Sequence, residues 1–339
     1  MFLLTYTLRA FRFVLVWALL LIALAWVVGA LWFDFPLERL RHSVAWVFFA
    51  SVAAGLIFVR PRWKAKLGAF TAIALVAVWW LTLRPAANRD WQPDVAETSS
   101  AEINGDEVVL HNVRNFEYRT EADYTPHWET RTVRLSQLLG LDIALAYWGS
   151  PLIAHPLVSF RFADGPPLSF SIEARKVVGQ EFSTIASLYR QAQLIYVVAD
   201  ERDTIRVRTV YRQGEDVYLY RTLASPAQAR TRFLGYVSTL NDLHTQPRWY
   251  NVITTNCTTA IRDQHPTDDR MPWDWRILLN GKSDELLYDR HLLATNALSF
   301  AELKQRSRIN QQARTGDNDP QFSELIRVGV PGFVQERAN

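Results

Sequence analysis

The chain of 339 residues has a single cysteine, Cys257. An internal disulfide is therefore excluded. In an oxidising compartment a lone thiol is an inert buried residue, an intermolecular link or a nucleophile. Other absences narrow the function further. No glycine-rich loop is present that could cradle a phosphate. Zinc usually takes closely spaced His and Cys ligands. The seven histidines offer no second ligand on a short element with His155 or Cys257, so neither a metal nor any other cofactor is expected. Basic charge is not concentrated: Lys and Arg total 37 against 34 Asp and Glu, a net +3, and the arginines alternate with acids. That pattern argues against a nucleic-acid surface. The sequence has no internal repeat and no low-complexity tract. After Leu83 it has no further apolar run long enough to cross a bilayer.

Before Leu83 such runs dominate. "FVLVWALLLIALAWVVGALWF" (Phe13–Phe33) carries no charge and suffices for a hydrocarbon core of roughly 30 Å. Ser43–Val59 and Leu67–Leu83 are shorter runs near the lower limit for a span. A signal peptide is the rival reading of the first run, but the run is too long and two more follow it. Residues 1–85 are thus expected to form three transmembrane helices. Orientation follows Lys and Arg in the short loops. Arg9 and Arg12 precede the first run. The loop "DFPLERLRH" is mixed in sign, whereas "RPRWKAK" holds Arg60, Arg62, Lys64 and Lys66 and no acid. The N-terminus and second loop are expected in the cytoplasm, and everything after Leu83 outside it.

The following 250 or so residues suffice for a core of their own. Residues 86–105 are polar and read as a linker or an arm lying on the domain. Residues 106–290 read as the domain, and residues 291–339 as a polar extension. "NGDEVVLHNVRNFEYRT" opens on a turn signal and continues as a strand. Thr132–Trp148 is expected to be a strand followed by a short helix. In "HPLVSFRFADGPPLSFSIEARKV", Val158, Phe160 and Phe162 alternate on one side of a turn, and Leu168, Phe170 and Ile172 on the other. This predicts an antiparallel hairpin. "ADERD" (Ala199–Asp203) reads as a solvated turn with ion pairs, a bracing network being the alternative. Ser225 followed by Pro226 marks a helix start. The tail from Thr267 looks irregular, with Trp273, Trp275, Leu278 and Leu279 expected to cover the domain.

A cysteine nucleophile needs its thiolate. A helix N-terminus favours that anion, and a neighbouring His can take the proton. In "PRWYNVITTNCTTAIRDQHP" the residues before Cys257 can cap a helix that begins at the thiol. Asn256 and Thr258 flank it as candidate supports for the thiol or an oxyanion. Among the histidines, His155 differs by opening the first strand of the hairpin; His111 and His127 are the next bases to consider. On the neighbouring strand, Ser169, Ser171 and Glu173 alternate with Leu168, Phe170 and Ile172. A helix bearing Cys, a strand bearing His and an orienting polar group on the next strand make a papain-like layout. Here the order is His, Glu, Cys, as in circularly permuted members of that fold. Glu173 is the candidate orienting acid, and Ser171 and Ser159 compete with it.

The runs "IAHPLVSFRFADGPPLSFSIEARKVVGQEFS", "YVVADERDTIRVRT", "VYLYR" and "WYNVITTNCTTAIRD" resemble the family named for the periplasmic N-terminal domain of the bacterial lipoprotein N-acyltransferase Lnb. The resemblance covers roughly Arg89 to Gly281. It implies a membrane-anchored α+β protein with a circularly permuted papain-like (NlpC-type) domain on an antiparallel sheet, periplasmic and held in the inner membrane. By position it makes Cys257 the nucleophile, His155 the base and Glu173 the acid. It implies a thiol-dependent acyltransferase or hydrolase acting on a membrane lipid or lipoprotein. The alternative is a non-catalytic envelope protein that keeps the fold to bind a lipid or a partner.

Overall fold

Three helices form where the apolar runs predict them: α1 (Phe2–Asp34), α2 (Arg41–Phe58) and α3 (Arg62–Thr82). The computed structural model describes residues 2–86, 88–264 and 272–333. Thr7–Asp34, Glu38–Phe58 and Arg62–Thr82 are long and apolar enough to cross a membrane. On α1, Leu20, Leu24, Val27 and Leu31 recur at helical spacing and pack with Ala45 and Val52 of α2 and Ala69 and Ile73 of α3. The outward side chains are apolar too, among them Ile22, Trp46, Val47 and Leu75. A helix that is apolar all round suits a hydrocarbon surrounding. The chain divides into two units, and Phe182–Gln191 belongs to this first one. Tyr189 stacks on Phe33 at 5.1 Å. Asp34 accepts from Trp80 Nε1 at 2.6 Å and Gln191 Nε2 at 2.6 Å. A Cβ at position 29 would stand 1.8 Å from the Tyr189 hydroxyl, so any other residue would force that ring to shift.

The second unit is built on strands β1 (Ser100–Asn104), β2 (Glu107–Arg114), β3 (Glu117–Tyr118), β4 (Tyr124–Thr125), β5 (Trp128–Arg134), β6 (Leu138–Tyr147), β7 (Ala154–Phe162), β8 (Gly165–Arg175), β9 (Gln193–Asp200) and β10 (Asp216–Arg221). Eight of them form one sheet in the order β1-β2-β9-β8-β7-β6-β10, with β5 also paired to β2. Its pairs are antiparallel except β2 with β9. The predicted hairpin is β7–β8, with Phe160 opposite Leu168 and Val158 opposite Phe170. The arm before residue 106 contributes β1, which pairs along β2.

Both faces of the sheet are covered. On one lie α5 (Pro226–Thr245) and α6 (Cys257–Asp263), whose Phe233, Tyr236, Val237 and Ala260 pack with Val158, Phe160, Phe170 and Tyr196. Ser225 and Gln228 close a capping box at the start of α5, with Pro226 in the first turn, as its sequence predicts. On the other face Ala144, Leu157 and Leu219 meet Ile205 of α4 (Glu201–Arg206), Ala313 of α9 (Asn310–Thr315) and Phe322 of α10 (Phe322–Leu325).

Two-sided burial explains one departure from expectation. Thr132–Trp148 is not strand followed by helix; β6 is one continuous strand. Leu141 faces the α5 cluster while Ala144 and Ala146 face the opposite one, so the apolar spacing matches neither simple period. The "ADERD" segment is a second correction. Glu201 and Asp203 are wholly buried in α4 rather than solvated. Asp203 accepts from Arg114 at 2.7 Å and from the Phe116 amide at 2.8 Å. Glu201 accepts from Arg327 at 2.7 Å, and Arg327 also reaches Asp142 at 3.0 Å. The bracing alternative is the one observed.

The tail is a third departure. It folds into α7 (Ser283–Asp289), α8 (Phe300–Arg306), α9 and α10. Its Leu293, Leu303, Ile309 and Ile326 are buried with the strands of the domain. Each short helix lends the core only one or two side chains, so no amphipathic stripe marks it. Trp273, Trp275, Leu278 and Leu279 do not cover the domain: they are 58, 57, 43 and 41% exposed. His265 and Thr267 lie outside the described residues.

Candidate active site

Cys257 is the first residue of α6. Asn256 is the N-cap, its Oδ1 accepting from the amides of Thr258 at 2.9 Å and Thr259 at 2.8 Å. The Thr259 hydroxyl accepts from the Asn256 amide at 2.9 Å, which completes a capping box. Asn256 therefore works as a cap, and the first-turn amides it occupies are not available to a ligand. The thiol is 6% exposed, and the Thr258 hydroxyl lies 3.9 Å from Sγ.

His155 comes from β7. The β7–β8 ladder is last paired at Leu157 with Ser171, just short of His155 and Glu173. Cys257 is among the groups that act on the charge of the His155 ring. Its Nε2 lies 2.7 Å from Ser171 Oγ and 3.2 Å from Glu173 Oε1. Ser171 Oγ donates to Glu173 Oε1 at 2.6 Å. A hydroxyl has one proton, and a carboxylate only accepts. Once Ser171 donates to Glu173, its oxygen has only lone pairs for the ring, so Nε2 carries a proton and donates. Nδ1 is then the ring nitrogen left to take up a proton. Ser171 and Glu173 thus act together on the ring rather than as alternatives.

The electrostatics follow this geometry. Burial acts most strongly on Glu173 and would raise its pKa, but His155, Arg208 and Ser171 together hold it well below the usual carboxylate value. Burial likewise acts most strongly on His155 and would lower its pKa. The Glu173 charge first, with smaller contributions from Cys257 and from hydrogen bonding to Glu173, outweighs that and leaves it raised above 6.5. Arg208 is buried and donates to Glu173 Oε1 at 3.2 Å and to Glu215 Oε2 at 3.2 Å.

The other candidates lie elsewhere. Ser159 is fully buried further along β7, in register with Asp142 and Ser169. His111 faces Glu102 at 3.4 Å on the β1–β2 side of the sheet. The His127 carbonyl accepts from the Asn115 amide at 3.0 Å. Among the described residues no group of three or more His, Cys, Asp or Glu could hold a metal ion.

Asn280 is a site residue that the sequence pattern does not mark. Its Nδ2 donates to Cys257 Sγ at 3.5 Å, and its Oδ1 accepts from the Ala154 amide at 3.0 Å. Its only local signal is the Asn-Gly turn dipeptide.

Residues 124–281 match the family model described as the Lnb N-terminal periplasmic domain. Over this segment the chain is similar to that domain family. No curated protein and no solved structure gives a match. The matched segment begins at β4, ends at Gly281, and includes Cys257, His155, Ser171, Glu173 and Asn280. The surrounding unit extends beyond it: Arg114 precedes the segment and Asp284, Lys304 and Arg327 follow it.

Proposed function

We propose that the matched domain is a thiol acyltransferase or hydrolase. The observation that carries this reading is the chain Glu173–Ser171–His155, which ends on Cys257 at the start of α6. His155 Nδ1 takes the thiol proton, and the imidazolium formed is stabilised by Glu173. The thiolate attacks an ester, thioester or amide carbonyl. The leaving group departs with the proton from His155, and the acyl-enzyme passes its acyl group to an amine, a hydroxyl or water. The layout, a helix bearing Cys, a strand bearing His and a polar pair on the next strand, supports a papain-like site in permuted order.

A lipid or lipoprotein substrate suits the surroundings of the thiol. The loop before His155 exposes Leu152 and Ile153, the turn before Cys257 exposes Ile253, and the turn before Asn280 exposes Trp273, Trp275, Leu278 and Leu279. Three candidate spans hold the same chain at a membrane. Basic residues before α1 and between α2 and α3 support a cytoplasmic N-terminus and a periplasmic domain in the inner membrane.

The full chain purified in detergent is expected to label at Cys257 with an activated acyl ester at neutral pH. His155→Ala should slow that labelling by about 10²–10⁴-fold. Mass analysis of the Cys257 peptide reads the adduct. Equal labelling of wild type and His155→Ala would leave a non-catalytic binding protein as the better reading.

A further inference from the structure

We propose that Asn280 is a catalytic residue, the donor that holds the substrate's carbonyl oxygen as it becomes an oxyanion. This rests on Cys257 being the nucleophile. An oxyanion sits two bonds from the attacking sulfur, so its donor has to stand beside Sγ. The Asn280 amide stands there, with Nδ2 3.5 Å from Sγ. Its orientation is fixed, because the Ala154 N–H can only donate and so demands Oδ1 at 3.0 Å. The NH₂ group is thereby turned to the thiol. One amide side chain thus bridges the residue next to the base and the nucleophile itself.

The turn that carries Asn280 is held from several sides. A Cβ on Gly281 would lie 2.4 to 2.6 Å from backbone atoms of Pro151, Leu152 and Ile153, so only glycine permits this approach. The Gly281 amide donates to Leu152 O at 3.0 Å. The Tyr147 hydroxyl lies 2.9 Å from Gly281 O and 2.8 Å from Asp284 Oδ2. Lys304 of α8 reaches Asp284 at 2.7 Å. Burial above all, then the Asp284 charge, pushes the Tyr147 hydroxyl up, so it remains protonated and able to donate. A donor fixed before the reaction needs no reorganisation when charge develops.

In the step itself the Sγ lone pair forms the bond to the carbonyl carbon. The C=O π pair moves onto oxygen, which Asn280 Nδ2–H then holds. On collapse that pair re-forms C=O, the bond to the leaving group breaks, and the leaving group takes the proton from the His155 imidazolium.

Two reagents separate this role from tuning of the thiol. A p-nitrophenyl acyl ester reacts through a tetrahedral oxyanion; iodoacetamide alkylates the thiolate without one. With the full chain in detergent, Asn280→Ala is expected to slow acylation by about 10²–10³-fold. Its alkylation should change far less, so the ratio of acylation to alkylation at matched thiolate fraction is expected to fall. If acylation and alkylation fall together with a shifted pH midpoint, the amide acts on the thiolate and the proposal is overturned. Unchanged acylation also overturns it. Should Asn280→Ala fail to fold, Asn280→Asp keeps the acceptor for Ala154 and removes the donor. A ratio of acylation to alkylation that falls at matched thiolate fraction then supports the role, and an unchanged ratio overturns it. A wild-type Cys257 that reacts with iodoacetamide but never with the ester leaves the thiol reading itself failed, whatever Asn280 does.

Discussion

A histidine ring buried beside a carboxylate is pulled two ways, and at His155 the carboxylate prevails. Its pKa lies above 6.5, so the stability it contributes is present below 6.5 and is lost as pH rises through the folded value. Glu173 is depressed below 4.5, so its contribution is present above 4.5 and is lost as pH falls through its folded value. The pair therefore contributes most to stability between those two ordinary values. Glu173→Gln removes the charge that most strongly offsets burial of the ring. The His155 ring resonances, followed by NMR against pH, should then titrate below the wild-type midpoint. An unmoved midpoint would mean that Glu173 does not govern the ring. Nucleophile and base should also act as one unit. Cys257→Ser with His155→Ala is expected to cost hardly more acylation than either change alone, because each removes the same step. Full additivity in acylation rates would separate the two residues.

At the scale of elements, the strands and α5 form where local pattern dictates, but their bracing comes from afar. Arg327, beside α10, reaches across to Asp142 on β6 and Glu201 on α4, both wholly buried. Burial opposes its charge most strongly, and the two carboxylates more than offset that, raising its pKa. Removing one partner of a buried ionic network leaves uncompensated charge, which costs about 3–5 kcal/mol. Arg327→Met should lower the stability of the domain by about that amount in a denaturant titration. A loss under about 1 kcal/mol would mean that solvent already screens the network. The same contact makes the tail part of the domain rather than an appendage.

For the whole molecule, the charge on the loops between helices predicts sidedness. A reporter active only in the cytoplasm, fused after Asn339, should be silent, whereas one active only in the periplasm should work. A strongly active cytoplasmic fusion would place Cys257 in a reducing compartment and remove the oxidising-environment argument for a lone thiol.

The amino-acid sequence by itself determined whatever depends on neighbours along the chain. The three apolar helices are legible because a bilayer demands an unbroken run of a set length. The β7–β8 hairpin is legible from alternation with a period of two, and α5 from its Ser-Pro start. Cys257 at a capped helix start, His155 opening a strand and Glu173 on the next strand were legible in the same way. Only the tertiary structure decided that Ser171 links His155 to Glu173, and that Glu201 and Asp203 are buried with Arg327 and Arg114. It also brought Asn280 to the thiol from a different turn and packed α7–α10 onto the sheet. These contacts join residues far apart in sequence. Each depends on two or more elements docking together, and no local periodicity records such a meeting.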